Sequence, residues 1–110
     1  MEERYAVIHK GKKIGTVLLD PSRRGTVRAR LAPLPAFRAI ARYRAALAEA
    51  RQRDFDEEKP TPTQLAAEDG AEAVLATLQL ALLTDPGGAP VATRKITLLR
   101  RDPPHVEVIW

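Results

Sequence analysis

The sequence predicts an α+β fold, an antiparallel sheet with two helices packed on one face and elements in the order βββ-αα-βββ. Three observations lead to this prediction. Short β-prone runs separated by turn residues occupy both ends of the chain, an amphipathic helical pattern fills the middle, and a capping signal starts a second helix after it. Because 110 residues leave room for one small domain, we expect a single domain over 1–110.

The first two strands are predicted from a hairpin signal. The β-prone runs 5–9 and 14–19 flank a short turn that contains Gly11. The next segment, 20–25, contains Pro21 and Gly25 and is typical of a turn. The chain therefore starts with two antiparallel strands and turns back toward a third.

The third predicted strand, 26–31, alternates strictly between apolar and polar residues. Val27, Ala29 and Leu31 fall on one side, and Arg28 and Arg30 fall on the other. We expect this strand to join the first two in a meander and to present a basic outer face to solvent.

Two helices are predicted between the strand regions. The prolines at 33 and 35 precede a helix over 36–53, whose apolar face contains Phe37, Ile40, Tyr43, Leu47 and Ala50. The sequence Thr61-Pro62-Thr63-Gln64 fits a capping box, which predicts a second helix over about 62–75. Residues 77–84 fit either a strand or a continuation of that helix, and we favour a strand. Turns at 85–88 and 101–104 then separate strands at 91–99 and 105–110.

The net charge of +4 conceals a strong asymmetry along the chain. Residues 1–53 contain 13 basic and 4 acidic side chains, whereas residues 54–110 contain 5 basic and 10 acidic side chains. The first half therefore carries +9 and the second half −5. This pattern predicts either an anionic partner for the first half or attraction between the halves, within one chain or in a head-to-tail dimer.

The sequence contains few residues suited to nucleophilic catalysis, metal binding or acid–base catalysis. There is no cysteine, and the only serine, Ser22, lies in a predicted turn far in sequence from His9 and His105. A metal site built from the two histidines and Glu107 lacks a fourth ligand and a characteristic spacing. The acidic run 54–58 lies in a predicted solvated connection, where a raised carboxyl pKa is not expected. We expect no catalytic residue, no metal and no cofactor, and therefore not an enzyme.

The termini and apolar segments predict a cytoplasmic protein. The acidic residues at 2 and 3 lead directly into a strand pattern, so no secretory signal is expected. The longest apolar stretch, 73–83, is far below the roughly 20 residues that span a bilayer. We therefore expect no membrane partner.

A basic surface gives one functional hypothesis, nucleic-acid binding. Arginine is well suited to phosphate contacts, and a stripe of positive charge is enough for non-specific binding. Scarcity of free aromatic residues argues against base stacking. The candidate residues lie at the hairpin tip, the next turn and the third strand: Lys10, Lys12, Lys13, Arg23, Arg24, Arg28 and Arg30.

The favoured hypothesis is a non-catalytic protein–protein interaction module that self-associates or binds another protein. An open antiparallel sheet leaves edges to which a second copy can add. The final strand ends in Trp110, a residue type enriched at interface centres, and Val108 lies on the same side of that strand. Trp110 and Val108 are therefore the predicted interface residues, and nucleic-acid binding is the alternative.

Overall fold

The computed structural model describes residues 1–99 and 103–110, and it confirms the α+β class and the predicted element order. Seven strands and two helices are present in this part of the chain. A two-residue strand not predicted from the sequence, and a 3₁₀ turn at Pro35–Phe37, lead into the first helix. In chain order the elements are β1 Glu3–His9, β2 Lys12–Leu19, β3 Thr26–Arg30, β4 Ala32–Pro33, α1 Arg38–Phe55, α2 Pro62–Ala76, β5 Leu80–Thr84, β6 Lys95–Leu99 and β7 His105–Ile109.

The elements form two compact units. The sheet unit comprises Met1–Phe37 and Leu78–Trp110 and contains all seven strands. The helical unit comprises Arg38–Thr77 and contains both helices.

The first sheet has four strands in the order β4-β2-β1-β5, all antiparallel. The predicted β1–β2 hairpin is confirmed, with His9 opposite Lys12 across a two-residue turn. Lys10 and Gly11 in that turn have φ values of 49° and 75°. Positive φ at both positions is typical of a type I′ turn, whose twist matches that of the strands it joins.

The second sheet has three strands in the order β3-β7-β6, so the predicted three-strand meander is wrong. β3 pairs with β7 along its whole length, from Thr26 opposite Ile109 to Arg30 opposite His105. The edge of β2 that the meander required is instead used by β4, which pairs Ala32 with Thr16. β2 still lies alongside β3, and β5 alongside β6, although the members of each pair belong to different sheets.

The core of the sheet unit contains residues of both sheets, and in the first sheet both faces include buried residues, since Tyr5, Ala6 and Val7 are all buried. Tyr5, Val7 and Val17 share a buried face of the first sheet, and Val106 and Val108 form the buried centre of the second. The Tyr5 and Trp110 rings meet edge to face with centroids 6.3 Å apart. The alternation predicted for β3 is confirmed, because Arg28 and Arg30 are exposed while Leu31, just beyond the strand, is fully buried.

The helical unit is a hairpin of α1 and α2. The predicted capping box starts α2: the backbone N–H of Gln64 donates to Thr61 Oγ1 at 3.2 Å, and the backbone N–H of Thr61 donates to Gln64 Oε1 at 2.9 Å. Ala50 of α1 and Ala71 of α2 are both buried, and Arg53 Nη2 lies 3.7 Å from Glu68 Oε2. Two of the five apolar residues predicted for the buried face of α1, Tyr43 and Leu47, remain half-exposed.

The ambiguous segment after α2 is a strand, as favoured from the sequence. Thr77 ends the helix by hydrogen bonds from its backbone and its hydroxyl to the carbonyl of Ala73. β5 then begins at Leu80. Of the predicted turn at 101–104, residues 101 and 102 lie outside the described residues.

Replacing Gly70 by alanine is expected to raise the free energy of unfolding by about 0.5–1 kcal/mol. Gly70 lies in the middle of α2, is exposed, and would place an added Cβ in open space, with no atom within 4 Å. Alanine therefore gains helix propensity without a clash. Urea unfolding followed by circular dichroism, at a concentration where the protein is monomeric, measures the change. An unchanged or lowered midpoint contradicts the expectation.

Candidate interaction surfaces

The seven basic residues predicted as a nucleic-acid surface lie in three separate places. Lys10, Lys12 and Lys13 are at the β1–β2 turn, while Arg23 and Arg24 are in the loop at the other end of β2. The eight residues of β2 place these two groups roughly 26 Å apart at 3.3 Å per residue. Arg28 and Arg30 lie on the outer face of β3.

Two of these seven cations are paired with carboxylates from the acidic second half of the chain. Lys13 Nζ donates to Asp85 Oδ2 at 2.9 Å. Arg28 Nε donates to Glu107 Oε2 at 2.8 Å across the β3–β7 pair. Attraction between the two halves within one chain, which the charge asymmetry predicted, therefore accounts for part of the basic surface.

The predicted interface residues on the final strand are buried or turned inward. Val108 is fully buried, so it is a core residue and the interface prediction for it is wrong. β7 is the central strand of its sheet, with β3 and β6 on its two sides, so it offers no free edge to a second copy. Trp110 is only partly exposed; its ring contacts Tyr5 and its indole Nε1 is buried without a hydrogen-bond partner.

The residues considered for catalysis or metal binding are held apart by the fold. His9 belongs to the first sheet, where its Nδ1 lies 3.4 Å from the carbonyl of Gln79. His105 belongs to the second sheet, where its Nδ1 lies 2.8 Å from the carbonyl of Pro103. Within residues 1–99 and 103–110, no three His, Asp or Glu side chains are close enough together to hold a metal ion.

Ser22 serves a local purpose in the β2–β3 loop. Its hydroxyl donates to Asp20 Oδ1 at 2.6 Å, and its backbone N–H donates to the same oxygen at 2.9 Å. These hydrogen bonds stabilise the carboxylate form and lower the pKa of Asp20 from 3.8 to about 2.

Acidification is expected to remove the contribution of Asp20 to stability between about pH 4 and pH 2. Because the pKa in the folded state is lowered, this contribution is complete above the unfolded value of 3.8 and disappears as the pH falls through about 2. Melting temperatures of the wild type and Asp20→Asn, measured from pH 7 to pH 2, test this. The advantage of the wild type should shrink only below pH 4, and a constant difference across that range contradicts the assignment.

The helical unit contains a groove that the sequence did not predict. It is open, has a volume of about 450 Å³, and runs between α1 and α2. At its rim the Arg42 guanidinium lies over the Tyr43 ring, 4.8 Å from the centroid, and donates to the Tyr43 hydroxyl at 2.9 Å. The residues that line the groove are Arg42, Tyr43, Ala46, Ala67, Gly70, Ala71 and Val74.

The α2 side of the groove continues as an exposed face of small, uncharged residues. Thr63, Ala66, Gly70 and Ala73 follow one another at intervals of three and four, so they lie on one side of the helix, and all four are exposed. Heptad spacing of this kind is the pattern by which one helix packs along another. This spacing of small residues is visible in the sequence, but it is a weak signal, because small side chains contribute little to the hydrophobic periodicity of a helix.

The two helices carry opposite net charges. α1 contains five arginines and two acidic residues, a net charge of +3. α2 contains three acidic residues and no basic one, a net charge of −3. The asymmetry between the two halves of the sequence is therefore repeated within this single hairpin.

None of the helices among residues 1–99 and 103–110 is long and apolar enough to cross a membrane. No protein-family model matches the chain, and neither a curated protein nor a solved structure shows significant similarity to it.

Proposed function

We propose that this protein is a non-catalytic protein–protein interaction module and that the α1–α2 hairpin is its binding surface. The observation that carries the proposal is the open groove between the helices, which is lined mainly by small apolar residues. Small side chains allow the backbone of a second helix to approach closely. Covering an apolar groove also removes apolar surface from water, which makes the free energy of binding more favourable.

Two exposed large apolar side chains lie on the same unit but outside the groove. Phe55, at the end of α1, is 82% exposed, and Leu65, in the first turns of α2, is 45% exposed. Helical spacing places both side chains on the faces of their helices that point away from the groove, and single exposed apolar residues are ordinary. The groove therefore carries the proposal without them.

The alternative, nucleic-acid binding, has less support. Lys10, Lys12, Arg23 and Arg24 are exposed and carry positive charge. They lie at opposite ends of β2, however, and the two cations paired with Asp85 and Glu107 are already partly neutralised. A protein surface that binds along the phosphate backbone of a nucleic acid needs a continuous stripe of positive charge.

Site-specific photo-crosslinking in cells that naturally contain the protein tests the proposal. A benzophenone side chain is placed at position 70, in the groove, or at position 24, in the exposed basic loop. We expect protein adducts from position 70 and none from position 24. A lack of polypeptide adducts from position 70 contradicts the proposal, and nucleic-acid adducts from position 24 favour the alternative.

A further inference from the structure

We draw no further inference here: the strongest candidate, the open groove between α1 and α2, is already the binding surface of the proposed function, and nothing in the structure shows what covers it.

Discussion

Replacing Gly15 by alanine is expected to lower the free energy of unfolding by about 1–3 kcal/mol, the usual cost of overpacking a core. Gly15 is buried in β2, where it pairs with Pro33 of β4. A Cβ at this position would lie 2.6 Å from Leu31 Cδ1 and 2.7 Å from the backbone oxygen of Ala32. Because one of these atoms belongs to the backbone, a side-chain rotation cannot relieve the whole clash.

Urea unfolding of Gly15→Ala and Gly70→Ala, side by side, measures the effect against a matched control. Both variants add one methyl group to a glycine whose φ is not positive, yet one enters a packed core and the other enters open space. The midpoints should move in opposite directions. If Gly15→Ala is as stable as the wild type, β2 and β4 do not approach as closely as described.

Truncating Leu31 to alanine is expected to lower the free energy of unfolding by about 2–5 kcal/mol, the range for buried leucines. Leu31 is fully buried, and its backbone N–H donates to the carbonyl of Pro104 at 2.9 Å. The side chain thus fills the space above Gly15 at the point where the chain passes from β3 to β4. A decrease in the free energy of unfolding below about 1 kcal/mol would contradict this core position, since decreases that small are typical of substitutions at exposed sites.

A double-mutant cycle tests whether the two positions share one packing site. Leu31→Ala removes Cγ and Cδ1, the side-chain atoms nearest to an added Cβ at Gly15, but it leaves the Ala32 oxygen in place. The double variant should therefore cost about 1 kcal/mol less than the sum of the single variants. Strict additivity in urea unfolding would show that Gly15 and Leu31 do not touch.

Local signals in the sequence predicted the elements well because each depends on a few neighbouring residues. The capping box at Thr61 started α2 as predicted, and the glycine-containing turn at Gly11 closed the first hairpin. The alternation in β3 correctly separated Leu31 from the arginines. Each of these features follows from backbone geometry or residue period, without reference to the rest of the chain.

The division into two sheets could not be predicted, because it depends on which strand edges are already occupied. Nothing local in the sequence shows that Ala32 and Pro33 pair with β2, or that β3 therefore pairs with β7. The same choice of partner made β7 central and buried Val108, which removed it from the predicted interface. Long-range pairing decides these outcomes, and period-2 alternation is compatible with either arrangement.

The groove was missed for a different reason. Helical periodicity identifies apolar residues that recur on one face of a helix. It correctly placed Ile40 and Ala50, which are buried, on the apolar face of the first helix. The residues that line the α2 side are alanine, glycine and valine, which contribute little to an amphipathic pattern. These residues form a groove only because the hairpin places α2 beside Tyr43 of α1, and that packing is seen only in the folded structure.

Two-dimensional NMR of ¹⁵N-labelled protein, in buffer and inside cells that naturally contain it, tests the central claim most directly, because it maps the contact surface without any substitution. Amide signals that shift or broaden in the cell should cluster at Tyr43, Ala46, Ala67, Gly70 and Val74, with the strands unaffected. Changes confined to β3 and β6, the outer strands of the second sheet, would place the contact at a sheet edge and contradict the proposed binding surface.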